Sequence, residues 1–234
     1  AEFQLPYGFM LSVGAMYTRD IYNVVQKNMN EKAPSGTYNE QPGRVYWTKN
    51  NYYDNPKTKT VIQLTNGDEK GYQYSFNAVL TKKFDFGFTG SFGYTYTMAK
   101  DMTANPGSSA ASVWQNNVAV NSLNDPGVSY SLFSTPHRLI ANASYEVAYA
   151  NMKTTVSLFY TGYQQGRFSY TYSNDMNGDG NYSDLMYVPA SKEEMTFVDI
   201  KDKQNNVTYS AVDQQEDFWN YVNTDWKSLM HIHW

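Results

Sequence analysis

The sequence predicts an all-β fold: an antiparallel up-and-down transmembrane β-barrel, incomplete within this chain, with about five long strands. Three observations predict it. In residues 71–99, Tyr72, Tyr74, Phe76, Ala78 and Leu80 alternate with Gln73, Ser75, Asn77 and Thr81. After a very short turn, Phe86, Phe88, Phe92, Tyr94, Tyr96 and Met98 alternate with Thr89, Ser91, Gly93, Thr95 and Thr97. Successive side chains point to opposite faces of a strand, so each limb has one apolar and one polar wall. Each limb exceeds the roughly five or six residues of an ordinary strand and reaches the about 9–11 that cross a bilayer. Second, the connections run long, short, long, short, long, as in barrels with short turns on one side and long loops on the other. Third, there are 22 Tyr and 12 Phe while charged residues are only 17%. Soluble domains average about 25% charge, and tyrosine suits a boundary where its ring is in an apolar layer and its hydroxyl is wet.

The elements follow in order. Residues 1–26 open with a strand in which Leu5, Tyr7, Phe9, Leu11, Val13, Ala15 and Tyr17 face one way. Gly8, Met10, Ser12, Gly14, Met16 and Thr18 face the other, and Pro6 sits near the start, where a missing N–H is tolerated. No charged region, apolar region and cleavage site precede this strand, so the chain is expected to be a fragment of something longer. Residues 27–70 form a long polar connection with a short β-like run at 61–64. Residues 100–136 form a second, with turn chemistry at Asn105-Pro106-Gly107 and Asn124-Asp125-Pro126-Gly127. In the strand 137–149, Leu139, Ala141, Ala143, Tyr145, Val147 and Tyr149 oppose Arg138, Asn142, Ser144 and Glu146, with Ile140 the exception. A turn over Ala150 and Asn151 leads to the strand 152–163, where Val156, Leu158 and Tyr160 oppose Thr155, Ser157 and Thr161, and Phe159 breaks the polar wall. Residues 164–234 read as mostly irregular. On the barrel reading the turns near Asp85 and Ala150 are periplasmic, and the loops at about 27–70, 100–136 and 164–225 are extracellular.

Composition narrows the function. No run of about 18 apolar residues exists, so no transmembrane helix is expected. The mean hydropathy of −0.63 fits a barrel whose every second residue faces water. Zero cysteines exclude disulfides, thiolate metal sites and cysteine nucleophiles. A formal charge of −4 without a basic stripe argues against a nucleic-acid partner. No G-x-S-x-G or H-E-x-x-H occurs and no Ser/His/Asp triad can be assembled, so the chain is not expected to be an enzyme.

The segment STPHRLIANASYEVAY, followed by a strand and then DMNGDGNYSDLMYVP, resembles the C-terminal half of TonB-dependent outer-membrane receptors. The closest subgroup is the Oar-like one of Bacteroidetes and related bacteria. MYTRDIYNVVQKNMNEKAPSGTY is similar to an ascending strand and loop of the same proteins, so the resemblance spans about residues 5–222. It implies that residues 1–234 are part of a barrel of about 22 strands, that a plug domain is absent here, and that the protein lies in the outer membrane of a Gram-negative cell. It further implies energy-coupled import of a bulky ligand, with the TonB complex, outer-membrane lipid and the rest of the barrel as partners. The tail departs from the pattern, because residues 225–234 lack the alternation of a final barrel strand.

One loop carries metal-like chemistry. Asp175, Asn177, Asp179, the Asn181 carbonyl and Asp184 are candidate calcium ligands, matching the first half of D-x-[DN]-x-[DN]-G. Met186 stands where an EF-hand has its bidentate Glu, and no flanking helix is evident. The same residues also describe an Asn/Asp/Gly turn whose side chains cap their own backbone. His231 and His233 would share a strand face, but no third ligand is near. Tyr46, Trp47, Tyr52, Tyr53 and Trp114 suit contacts to a carbohydrate or peptide, or packing of the loops on themselves. The alternative to a receptor is a soluble cell-surface β-domain that binds glycan or peptide, since a sheet with one face on a core alternates in the same way.

Overall fold

The computed structural model describes residues 1–223, except 40, 42, 49, 50 and 54–59. The expectations for residues 225–234, including His231 and His233, therefore lie outside the described residues. In chain order the strands begin with β1 (Glu2–Leu5), β2 (Phe9–Arg19), β3 (Val24–Asn28), β4 (Gly36–Thr37), β5 (Val45–Tyr46) and β6 (Ile62–Asn66). Then come β7 (Tyr72–Lys83), β8 (Phe88–Asp101), helix α1 (Ala110–Asn116) and β9 (Ser129–Tyr130). The rest are β10 (His137–Tyr149), β11 (Met152–Tyr163), β12 (Ile200–Lys201), β13 (Val207–Tyr209) and helix α2 (Ala211–Tyr221). Neither helix is long and apolar enough to cross a membrane, a fact silent on β-barrels.

The fold is mostly β, and the chain divides into two compact units. The sheet unit holds residues 1–21, 71–100 and 130–167. Its strands run antiparallel in the order β1-β2-β7-β8-β10-β11, each beside its sequence neighbour in the sheet, with β9 added on β8. The register carries the alternation across the sheet: Leu11 faces Leu80, Leu80 faces Phe92, Phe92 faces Ala141 and Ala141 faces Tyr160. Residues directly opposite each other share a face, so the apolar walls of all the strands merge into one. No residue of β1, β2, β7, β8, β10 or β11 is buried. Phe92 in the middle of the sheet is 52% exposed and Leu158 on β11 is 71% exposed. The sheet does not close: β1 and β11 each have one strand neighbour among the described residues.

Three short turns join the strand pairs β1–β2, β7–β8 and β10–β11 at the same end of the sheet. At the β7–β8 turn the Phe84 N–H donates to the Phe88 carbonyl at 2.8 Å. Gly87 closes this turn with φ +91, and a Cβ there would collide with the Glu146 carbonyl oxygen. The Ala150-Asn151 turn lies where the sequence put it, with Ala150 at φ 50, a left-handed value that favours glycine.

The first strand is a correction. The strand read over residues 5–18 does not run unbroken: Pro6–Gly8 make a 3-10 turn with Tyr7 at φ 63 and Gly8 at φ 75, and the long strand starts at Phe9. Proline fixes its own φ and the two left-handed residues reverse the chain, so β1 folds back on β2 and Leu5 faces Phe9. Val24–Asn28 likewise leave the sheet and pair with β6, the strand of the β-like run near residue 62.

The polar unit holds residues 22–70, 101–129 and 168–234. Its small apolar core is Trp114, Ala119 and Leu123 with Ile62 against them. Trp114 sits on α1, whose first turn is fixed by Ser109 and Ser112 capping each other's backbone N–H. A second cluster gathers Met186, Val188 and Phe218 around Val222, near the end of α2, which starts at the Ser210 cap.

Candidate functional site

The loop 175–184 lies wholly in the polar unit and is built from turn chemistry. Asp175 Oδ1 accepts from the Gly178 N–H at 2.8 Å and Oδ2 from the Gly180 N–H at 2.9 Å. Asn177 Oδ1 accepts from the Asp179 N–H and Asp179 Oδ1 from the Asn181 N–H, two residues on in each case. Asp184 Oδ2 accepts from the Met176 N–H at 2.9 Å, which ties the two ends of the loop together. Gly178 and Gly180 take φ +80 and +88, which lets the chain coil this tightly.

A second segment clamps the loop from outside. Tyr38 Oη, the Trp47 N–H, Asn51 Nδ2 and Tyr52 Oη donate to the carbonyls of Met176, Asn177, Gly178 and Asp179 at 2.8, 2.7, 3.1 and 3.0 Å. Asn177 Nδ2 also donates to the Asn121 carbonyl at 3.0 Å. These partners lie more than 50 residues away in sequence, so no local signal announces them.

The five candidate ligands therefore share one loop, but the carboxylate oxygens named above accept from backbone N–H groups. Among the described residues no three acidic or histidine side chains are placed to hold a metal ion. These are the hydrogen bonds of a self-capping Asn/Asp/Gly turn.

Burial gives the site its electrostatics. Asn177, Asp179, Asn181 and Asp184 are all buried, with Glu31 of the facing segment. Loss of hydration, then the Asp179 charge, pushes Glu31 up to about 7. The same two causes push Asp184 up to about 6, against the pull of the Met176 and Asn177 N–H groups. Burial likewise raises Asp179, and it raises Tyr52 to about 12 with the Asp179 charge beside it. Glu31 Oε1 and Asn181 Nδ2 are buried and without hydrogen-bond partners. Among the described residues the buried cation of the unit is Arg44, which donates to the Leu185 carbonyl and to Met176 Sδ.

The aromatic loop residues turn inward. Trp114 is 1% exposed and donates from Nε1 to Asn124 Oδ1, and Trp47 is buried with Nε1 on the Lys32 carbonyl. Tyr46 packs on Tyr38 with ring centroids 5.2 Å apart. Tyr53 alone of the five is open to solvent, at 71%. In the sheet unit His137 is not free either, since Nδ1 lies 2.6 Å from Tyr94 Oη.

Sequence reasoning missed Glu31, Arg44, Tyr38 and Asn121. Their signal lies in burial and long-range pairing, neither of which has a period. Compared with protein-family models, with curated proteins and with solved structures, the chain shows no match.

Proposed function

We propose that this chain is part of an outer-membrane, energy-coupled receptor of the TonB-dependent kind, which binds and imports a bulky ligand. One observation carries the reading: an antiparallel sheet with a continuous apolar face, no buried residue in its six main strands and no closure. A soluble sheet hides such a face on a core, whereas a barrel turns it to lipid. Open edges present unpaired N–H and C=O groups, so β1 and β11 need further strands beside them. Turns gathered at one end of the sheet, with long connections at the other, fit the periplasmic and extracellular sides. The resemblance of DMNGDGNYSDLMYVP supplies the family and the energy coupling.

The test is site-directed spin labelling along residues 154–161 in the intact source protein. In a lipid-facing strand, labels at 156, 158 and 160 meet oxygen dissolved in the bilayer, while labels at 155, 157 and 161 meet water-soluble reagents. Even-numbered sites shielded from both would mean a protein core and sink the barrel. Ligand uptake that survives collapse of the proton gradient would remove the energy coupling alone.

A further inference from the structure

The polar unit contains a cavity of about 250 Å³ lined by Gln41, Tyr172, Tyr187, Glu194, Phe197 and Phe218, among others. Neither the loop 175–184 nor the sheet uses it. Four of its lining residues are aromatic, with the Phe197 and Phe218 ring centroids 6.1 Å apart. Two of its polar groups, on Glu194 and Gln41, offer acceptor oxygens. Glu194 is fixed in place, because Oε2 accepts from Tyr187 Oη at 2.9 Å and from the Ala190 N–H at 2.8 Å. Gln41 Oε1 is buried and has no hydrogen-bond partner. A buried acceptor left without a donor is unfavourable, and a donor-bearing guest relieves that cost.

The neighbouring cations have partners other than Glu194. Lys192 pairs with Glu216. Arg44 stacks on the cavity-lining Tyr172 with its guanidinium carbon 5.6 Å from the ring centroid, and its Nη1 and Nη2 donate to Met176 Sδ and the Leu185 carbonyl. Neither forms an ion pair with Glu194. Ring faces, a carboxylate and an amide oxygen together favour a cation, by ring-quadrupole attraction and charge-assisted hydrogen bonds. The volume is below the about 300–1,000 Å³ of sites for drug-sized ligands, and so suits one side chain.

We propose that this cavity binds an ammonium or guanidinium group on a short apolar stem, the chemistry of a lysine or arginine side chain. The binding chemistry stands on the polar unit alone; only its role as a receptor's external ligand contact rests on the proposed function.

Calorimetry on the full chain in detergent tests it. The probes are N-acetyl-lysine methylamide, the isosteric norleucine compound, a lysine-containing tripeptide and butylamine. The lysine probe is expected to bind at least about tenfold more tightly than the norleucine probe. Glu194→Gln keeps both acceptor contacts to Tyr187 and Ala190 but removes the charge, and should erase that preference. Gln41→Leu should weaken the lysine probe about threefold to tenfold. If Glu194→Gln fails to fold, rising salt serves instead, weakening the lysine probe and not the norleucine one. A tripeptide that outbinds butylamine assigns the group to a peptide; equal binding assigns it to a free amine, and both support the proposal. Equal affinity for lysine and norleucine probes, or no heat from any cation up to ~10 mM, a concentration far above the affinity of a specific site, overturns it. That failure would leave the spin-label pattern on β11 untouched, so the two readings fall separately.

Discussion

The sheet unit and the polar unit invert each other's burial. In the sheet, phenylalanine and leucine stand exposed on strands that bury nothing, as Phe92 and Leu158 do. In the polar unit, Asp179, Asp184, Glu31 and Asn177 are buried alongside Trp114. Burial in water follows hydrophobicity, so an inverted sheet is what the proposed barrel wall requires. Buried carboxylates are tolerated only where hydrogen bonds replace water, which the coiled backbone of residues 175–184 does. One unit is thus defined by what surrounds it, the other by its internal bonds.

The largest expected effect breaks the internally bonded unit. Gly178→Ala would place a Cβ against the Trp47 carbonyl oxygen at a left-handed φ, costing about 2–5 kcal/mol. Hydrogen exchange should show residues 175–184 and 45–47 losing protection together. Retained protection would mean that the clamp is not needed.

Next comes the sheet. Leu158→Arg should cost about 2–4 kcal/mol in a bilayer, while Ser157→Arg, one residue away, should cost less than about 1 kcal/mol. Unfolding in lipid vesicles measures both, and equal costs would abolish the distinction between the faces.

A third expectation concerns pH. The folded pKa of Glu31 lies near 7, above its ordinary 4.5, so its folded form holds a proton more tightly than the unfolded chain. Its stabilising contribution is complete below about 4.5 and is lost as pH rises through about 7, by roughly 2–3 kcal/mol. Asp184 adds to the same slope up to about 6. Proteolysis of residues 168–223 should therefore speed up between pH 5 and 8, and Glu31→Gln should flatten that rise. Calcium at ~1 mM, ample for an extracellular-type site, should change none of this if the turn reading is right.

The smallest effect sits at the far end of the sheet. Ala150 adopts φ 50, so Ala150→Gly should relieve about 0.5–1 kcal/mol of backbone strain and raise the unfolding midpoint slightly. A lower midpoint would show that the loss of alanine's restraint on the unfolded chain outweighs the strain.

Legibility divides along the same line. The five long strands and their shared face followed from parity, because a period of two survives without tertiary knowledge. The Pro6–Gly8 reversal was missed since Leu5, Tyr7 and Phe9 keep that parity through the turn. Helix α2 announces itself only by Ser210 with Asp213 at the third helical position, a capping signal submerged in a polar stretch. The turn chemistry of 175–184 was readable from Asp, Asn and Gly spacing. Its clamp by Tyr38, Trp47, Asn51 and Tyr52 was not, because contacts across more than 120 residues leave no local trace.

The three short turns also set a timetable. β1–β2, β7–β8 and β10–β11 each close over a few residues, and hairpins of that kind form in about 1–10 μs. Joining β2 to β7 means bringing Arg19 to Tyr72 across a long connection, whose closure entropy grows with the logarithm of its length. The sheet is thus expected to assemble as three ribbons that later zip side by side, with the β2–β7 seam last to gain protection in pulse-labelled hydrogen exchange. Until that seam closes, each ribbon carries two open edges, and anything that holds such ribbons apart during transit decides whether they meet one another or aggregate.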